Sequence, residues 1–553
     1  MTTHADPQGS ERMSDTHPDY RSKVPTLERH CDVAVIGGSA AGLAGALQLA
    51  RQRRSVLVVD DNSPRNAPSA HMHGYLGHDG VDPGTLLAAG RDEVRRHGGE
   101  VLTGRVLTVT RRDDGRFRLA LTGGHSLVAR RVLAATGLTD LLPAIDGIAG
   151  QWGKGVVHCP FCHGFEVRDR RLVQIVTQPL GLHPTPLWRH LTDRLTVVLH
   201  DPTGIDEAAL APLRAAGVAI EIAEVARIVP GADGEVRGVE LADGRLLPSD
   251  AVAVGPRFHA RADVLEGVGL TSTAHPSGAG DFLTVDAFGA TAVPGIYAAG
   301  NLTDPALQVL PAAAHGSQVG AMIASSLAGE DLGDAARRSG EQADWEHRYS
   351  GPKRAWSANP NGSLVKEASD LAPGAALDVG TGEGADALWL AEHGWSVTAT
   401  DISANALARV RAAAAERGLG VQLLRVDAND PDPYAGQVFN LVSLQYGSFK
   451  RTPDQRGLRS LLDAVAPGGT LLVVHHDLTP ASEPVDVATQ TRMFDPLAFV
   501  GVDEIAAALT AEPDAWQIEC HETRPRPPGA ASTHHVDDVV LRARRREPGP
   551  APA

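Results

Sequence analysis

Cys159-Pro160-Phe161-Cys162 is the stretch of the chain with the most evident chemistry. Two cysteines at this spacing sit within disulfide reach, and one thiolate of such a pair is commonly stabilised enough to attack or leave near neutral pH. His158 and His163 flank the pair. On paper the four side chains also make a zinc set, so half a metal site and a pair of buried thiols stand beside redox chemistry as readings. An imidazole at His163 can move protons near neutral pH during thiol exchange, and a solvent-facing turn histidine is its alternative. Cys31 and Cys520 complete the four cysteines, too few for a disulfide framework in a chain of 553 residues.

The elements that must position this chemistry begin with a buried strand from Cys31, a glycine turn Gly37-Gly38-Ser39-Ala40-Ala41-Gly42, a helix over 40–51 and a strand over 55–60 ending in Asp60. Such a βαβ unit brings backbone N–H groups to a pyrophosphate at the helix N-terminus, while the acid accepts from a ribose. A packing turn without ligand is the alternative, and Ser39 in place of the middle glycine adds bulk beside the phosphates. A strand-rich stretch from near His158 to Ser249 reads as an inserted domain. The apolar run 251–254 and the strand 295–299 read as a return to the first domain.

A second glycine turn, Asp378-Val379-Gly380-Thr381-Gly382-Glu383-Gly384, follows a strand from Ala375 and opens a helix, with Asp401 closing the next strand. His475 and His476 fall at the carboxyl edge of that sheet, where open α/β folds bind ligands, and read as acceptor-side candidates, a base or a metal-ligand pair; adjacent strand residues face opposite ways, so if the strand continues the two do not easily share one ligand. Trp345, Tyr349, Arg354 and Trp356 read as either an aromatic lid or an ordinary packed segment. His534-His535 carries no functional reading.

With the pairs Ala135-Thr136-Gly137 and Gly295-Ile296-Tyr297-Ala298-Ala299-Gly300-Asn301 added, residues 31–327 resemble the thioredoxin reductase family of flavoproteins. The resemblance implies that Gly37, Ser39, Gly42, Asp60, Thr136, Gly137, Gly300 and Asn301 hold FAD. Asn301 stands where the family usually has Asp, keeping an acceptor and losing a charge. It also implies that Cys162 faces the flavin, that Cys159 exchanges with substrate, and that His163 replaces an acid that moves protons. The chain departs from the family after the strand 172–176, where Thr177-Gln178-Pro179-Leu180-Gly181-Leu182-His183-Pro184 replaces a Gly-x-Gly turn. Prolines remove donors and bulky residues block close approach, both of which a pyrophosphate turn needs. NADPH binding in the usual mode is therefore doubtful, and the pattern is similar to the branch containing dithiol oxidases that return electrons to oxygen.

Residues 345–545 resemble class I S-adenosylmethionine-dependent methyltransferases. That implies cofactor contacts at Asp378, Gly380, Gly382, Gly384, Asp401, Asp427 and Ala428, with Ala466-Pro467-Gly468-Gly469 as the turn before the fifth strand. A degenerate, non-catalytic domain is the alternative.

The expected fold class is α/β: a two-domain, Rossmann-like FAD/NAD(P)-binding flavoprotein followed by a Rossmann-like methyltransferase. The expected order is a disordered tail 1–28, FAD-binding parts 29–150 and 250–330 around an inserted region 151–249, a linker 331–344, the methyltransferase 345–545 and a disordered tail 546–553. With 51 basic and 67 acidic residues the net charge is −16, which argues against nucleic-acid partners. Hydrophobic content of 42% and mean hydropathy of −0.13 fit a globular chain. No membrane span and no signal peptide are read, giving a cytoplasmic expectation. The functional expectation is a bifunctional enzyme, oxidising a small-molecule dithiol with oxygen and methylating a thiol. Its rivals are an NADPH-dependent reductase of a small disulfide or thioredoxin-like protein, and a sensor that binds FAD and S-adenosylmethionine without turnover. The family resemblance adds a homodimer, and no metal is expected.

Overall fold

A computed structural model describes residues 26–231, 235–333, 340–356, 358–447, 449–477, 485–526 and 537–547. The expected tails therefore lie largely outside the described residues, as does His534-His535. The first strand, Glu28–Ile36, starts three residues before Cys31.

Three sheets carry the molecule. In the first, Glu100–Thr103, Val56–Asp60, Glu28–Ile36 and Ser126–Ala134 run parallel in that order. Ile296–Ala298 adds to Ser126–Ala134, while Phe117–Leu121 and Val106–Arg111 extend the other arm antiparallel. The strand Val56–Asp60 is buried along its first four residues, as a strand covered on both faces must be.

The helix Ala40–Arg51 lies on this sheet against the helix Val309–Gly333. Glycines set their approach: a Cβ at Gly316 would stand 1.9 Å from the Ala41 carbonyl oxygen, and one at Gly320 2.5 Å from that of Gly45. A Cβ on Gly42 would collide with the Gly37 carbonyl oxygen at 1.9 Å. The glycine turn and the two helices are thus one tightly packed unit.

The inserted sheet is ordered Ala219–Ile222, Leu195–Leu199, Leu172–Val176, Ala251–Val254, Val156–Val157, all parallel. This corrects the expected boundary. Ala251–Val254 was expected to return to the first domain, but it is a central strand of the inserted one, and the chain crosses back only after Gly255. A four-residue apolar run fits any buried strand, and only its pairing assigns the sheet.

The C-terminal sheet runs Val421–Arg425, Ser396–Asp401, Ala375–Val379, Phe439–Gln445, Val465–His476, Asp537–Arg545, Trp516–Pro525. The last two strands are antiparallel to the rest. Leu377, Val442, Leu471 and Leu541 are fully buried in its core, each contributing about 1.5–3 kcal/mol.

The expected linker is partly helical: Val309–Gly333 extends into it, and the helix Gly340–Arg348 follows. Asp344 on that helix accepts from the His30 amide at 2.9 Å and from Arg29 at 3.3 Å. The C-terminal unit also covers the edge strand Glu100–Thr103. The Arg492 amide donates to the Thr103 carbonyl at 2.7 Å, and Asp495 accepts from the Val101 amide and the Arg95 guanidinium, both at 2.8 Å. Beneath this seam Glu100 is held by Arg29 at 2.9 Å and Lys450 at 3.0 Å. Burial alone would raise the Glu100 carboxyl, but the two cations hold it down at about 2. No described helix is long and apolar enough to cross a membrane.

Candidate functional site

One cavity of about 920 Å³ brings most of the sequence-predicted residues of the first unit together: Gly37, Ser39, Asp60, Thr136, Gly137, Cys159, Cys162, His163 and Asn301 all line it. Gly42 and Gly300 act from behind. A Cβ on Gly300, at φ +73°, would come within 2.7 Å of the Ala41 side chain. Gly37 has φ +102° and its Cβ position lies 2.5 Å from the Ala135 carbonyl oxygen. This crowding keeps the turn bare, which close approach of a diphosphate requires.

Asp60 holds the turn from its far side, accepting from the Gly38 amide at 3.1 Å and from Arg91 at 2.9 Å. The Asn301 amide donates to the carbonyls of Leu307 at 2.8 Å and Asp304 at 3.1 Å. Its NH2 is spent within its own loop, so what it offers the cavity is an acceptor oxygen. The Thr136 hydroxyl donates to the Arg261 carbonyl at 2.7 Å. A glycine cradle, a braced acid and an acceptor in a cavity near the upper end of ligand-pocket sizes fit the diphosphate, ribose and ribityl parts of FAD.

Cys159 and Cys162 are joined as a disulfide, with Cα atoms 5.2 Å apart. Cys159 caps the short helix Pro160–His163. Its carbonyl takes the amides of Cys162 and His163, each at 3.1 Å, and Gly164 closes the turn because a Cβ there would strike the Pro160 carbonyl oxygen at 2.2 Å. His158 packs between Trp152 and Phe258 at ring distances of 6.0 and 5.8 Å. Burial, then Arg65, pushes its imidazole down to about 4, so it is neutral at pH 7. His163 stands 3.0 Å from the Ser69 hydroxyl. Its imidazole is also lowered, by burial first and by His73, with Glu166 working the other way. Both thiols of the zinc reading are taken up in the disulfide.

Sequence reasoning missed the loop between Asp60 and Pro83. Arg65 clamps Asp140 through two bonds of 2.9 and 2.7 Å and lies 5.1 Å over the Phe258 ring. Ser69, His71 and His73 then line the cavity facing the disulfide. The close spacing of His71 and His73 before three glycines was the available signal.

The segment that stands in place of a Gly-x-Gly turn takes a definite form. Residues Pro179–Leu182 make a tight 3-10 turn. The Gly181 and His183 amides are spent on the carbonyls of Gln178 and Leu180, at 2.9 and 3.0 Å. Gln174, buried beneath, donates to the Gly181 carbonyl at 2.6 Å. At the end of the next strand His200 accepts the Val225 amide at 2.9 Å. Thr177, Leu180, His183, Leu187 and Trp188 nonetheless line the same cavity as the disulfide.

In the C-terminal unit Gly380, Gly382 and Gly384 all take positive φ. Asp401 accepts from the Gly382 amide at 2.9 Å and the Ser403 amide at 2.8 Å. Burial pushes its carboxyl up to about 6 despite those bonds. Asp378, bonded by the Thr381 hydroxyl at 2.6 Å, is raised by burial and by nearby Asp386, and Asp427 is raised by burial. Ala428 packs against the core beside Asp427. Such a cradle of acids fits the ribose and the cationic amino-acid end of S-adenosylmethionine.

Tyr349 and Trp356 are bonded to each other at 3.0 Å and stand 3.1 and 3.6 Å from where a Cβ of Gly382 would be. The Glu383 carboxylate takes the Ala355 and Trp356 amides at 3.1 and 3.0 Å, so this segment folds over the glycine turn. His475 bonds the Gly447 carbonyl at 2.6 Å, while His476 stacks on Tyr446 at 4.4 Å. The two histidines take different partners, as the strand period requires.

Comparison with known proteins agrees with both halves. Residues 31–318 match the profile of the pyridine nucleotide-disulphide oxidoreductases, and residues 376–469 match a methyltransferase domain. Thioredoxin reductase sirT of Leptosphaeria maculans is 30% identical over 325 residues, covering 56% of this chain and 98% of that protein. The crystal structure of HlmI is 39% identical with a TM-score of 0.52, over 55% of this chain and 95% of its own. An oxidoreductase from Agrobacterium tumefaciens is 32% identical with a TM-score of 0.50, over 54% and 99%. The chain belongs to the pyridine nucleotide-disulphide oxidoreductase family. It is an enzyme that joins a thioredoxin reductase-like oxidoreductase unit to a C-terminal methyltransferase domain.

Proposed function

We propose that the first unit is an FAD-dependent oxidase of small-molecule dithiols, and that the second methylates a thiol of the same class of compound with S-adenosylmethionine. The observation that carries the oxidase reading is the turn at Pro179–Leu182. Pro179 has no amide to offer and the Gly181 and His183 amides are internally bonded, yet the cavity continues past the turn beside the disulfide. A nicotinamide dinucleotide would find few donors for its pyrophosphate, whereas a compact dithiol needs none.

The chain's own residues divide the work. Gly37, Gly38 and Ser39 cradle the diphosphate of FAD, Asp60 accepts from the ribose, and Asn301 offers its oxygen to the ribityl chain. His163 takes the proton of an incoming thiol, and the resulting thiolate attacks Cys159, displacing Cys162. A second substrate thiol then frees Cys159 and leaves as the substrate disulfide. FAD supplies the two-electron acceptor that restores the Cys159–Cys162 disulfide, with oxygen as the final oxidant. In the second unit Asp401 accepts from the ribose hydroxyls, and Tyr349 and Trp356 close over the glycine turn. S-adenosylmethionine held there would supply the methyl group for the acceptor thiol, leaving S-adenosylhomocysteine and a proton. Covalent fusion supports the shared substrate class, as oxidation and S-methylation are two ways of masking one thiol.

A disulfide reductase is the second reading. Relatives such as sirT are called thioredoxin reductases, and Phe161 and Phe165 beside the disulfide are 64% and 65% exposed, which suits docking of a thioredoxin-like protein. The test is steady-state oxygen uptake with small dithiols, with mass spectrometry for S-methyl product when S-adenosylmethionine is added. Oxygen uptake with a dithiol supports the oxidase. NADPH oxidation driven by a disulfide, with no oxygen uptake from any dithiol, removes it, and methylation of only oxygen or nitrogen acceptors removes the shared-substrate link.

A further inference from the structure

The loop that faces the disulfide contains a hydrogen-bond pattern that fixes a proton. The Ser69 hydroxyl donates to the His71 carbonyl at 2.8 Å. A serine hydroxyl has one proton to give, so toward His163, whose Nε2 lies 3.0 Å away, its oxygen is an acceptor. With the Ser69 proton on the His71 carbonyl, His163 carries its proton on Nε2, and in a neutral ring Nδ1 is left bare. We propose that Ser69 is a positioning residue that holds His163 in the Nε2–H tautomer, so that Nδ1 is the atom that takes the proton of the incoming thiol.

The loop is built to hold Ser69 still. His71 Nδ1 lies 3.0 Å from the Gly80 carbonyl, and as a carbonyl only accepts, that nitrogen is the donor. The Met72 amide donates to the Val81 carbonyl at 3.0 Å, and the Gly80 amide returns to the Met72 carbonyl at 2.8 Å. The Gly74 amide is taken by Asp79 at 2.9 Å. The carbonyl that receives the Ser69 proton thus belongs to a residue pinned at both its ring and the neighbouring backbone. Ser69, His163, Cys159 and Cys162 line one cavity.

The groups facing His163 are consistent with a neutral ring at pH 7. His158 is itself neutral. His73 sits between Glu166 at 3.5 Å and Asp79 at 3.4 Å, so the acid nearest His163 is shared with a second imidazole. Burial lowers the His163 imidazole, and its basic form is present at neutral pH and lost as pH falls. In the step it serves, the substrate S–H bond breaks and the proton goes to Nδ1. A new S–S bond forms to Cys159, the Cys159–Cys162 bond breaks, and its electron pair leaves on Cys162. The tautomer is wrong if Nδ1 carries the proton, because the ring then offers no acceptor toward the cavity except the nitrogen already at Ser69. Fixing a tautomer through a partner of the other nitrogen is how an imidazole base is prepared.

The inference rests on the dithiol reading, so its test has two readouts. In protein labelled with 15N-histidine, two-bond proton–nitrogen correlation reports which ring nitrogen of His163 is protonated, with the signal assigned by its disappearance in His163→Gln. Separately, the rate at which dithiothreitol bleaches the flavin without oxygen is followed from pH 5.5 to 8.5. The wild type should show the Nε2–H form. Ser69→Ala should mix the tautomers and slow bleaching about tenfold at pH 7, a modest part of what a general base supplies, while Ser69→Thr restores both. A Ser69→Ala protein that keeps the Nε2–H form and the wild-type rate overturns the proposal, as does a wild type protonated on Nδ1. If dithiothreitol fails to bleach even the wild type, the dithiol reading falls, and the nitrogen spectrum alone still decides the role of Ser69.

Discussion

The two glycine turns of this chain solve one backbone problem and differ in their electrostatics. In each, an acid at the end of the neighbouring strand takes an amide of the turn: Asp60 that of Gly38 at 3.1 Å, Asp401 that of Gly382 at 2.9 Å. Asp60 is also paired with Arg91 at 2.9 Å. Asp401 has no ion pair among the described residues, and it shares its cradle with Asp378 and Asp427, all with raised carboxyls. The difference follows the ligand. An FAD diphosphate is anionic, so its turn sits beside an acid already neutralised by arginine. A sulfonium cofactor brings positive charge, so its cradle can keep acids whose burial is offset only on binding. The shape of the turn is common property, and the charge around it separates the two sites.

If the sites are chemically separate, Cys162→Ser should lower dithiol-driven oxygen uptake by at least about a thousandfold, as loss of a nucleophile or its partner does. It should leave S-adenosylmethionine binding by calorimetry unchanged. A parallel loss of cofactor binding would break the comparison. The two units are nonetheless one body at the Glu100 seam. Glu100→Ala leaves Arg29 and Lys450 without their shared acid, which should cost about 3–5 kcal/mol and split calorimetric unfolding into two transitions.

Asp401→Asn should weaken S-adenosylmethionine binding by about 10- to 150-fold, the worth of a hydrogen bond to a charged group, with flavin content unchanged. Asp60→Asn should do the reverse, releasing FAD while sparing the methyl donor. A smaller effect sharpens the contrast further. The Asp401 carboxyl is raised to about 6 from an ordinary 3.8, so its ionised form is disfavoured in the free protein. Ligand-free stability should fall as pH rises from 3.8 to 6 and level off above. The donor binds the ionised form, so its affinity should rise with pH below about 6, by up to about tenfold per pH unit.

Much of this was legible in sequence because it is local. A strand, a glycine turn and a helix within 30 residues announce themselves, and both units were placed on that signal. What was not legible depended on distant partners. Ala251–Val254 carries no mark of its sheet, and only pairing with Leu172–Val176 assigns it. The covering of Glu100–Thr103 by residues near Asp495 joins positions almost 400 apart. Ser69 is an ordinary loop serine until His163 is brought to 3.0 Å. The departure from a Gly-x-Gly turn was visible as prolines, but Gln174 bonded beneath it was not.

The central claim is that the inserted domain has kept the cavity and given up the nicotinamide. Anaerobic photometry of the flavin-loaded protein tests it directly, with NADPH added to one cuvette, a small dithiol to another, and air then admitted to both. The dithiol should bleach the flavin within seconds to minutes and air should restore the colour, while NADPH leaves the spectrum unchanged. Rapid bleaching by NADPH, with the dithiol inert, would contradict the account and make the first unit a reductase.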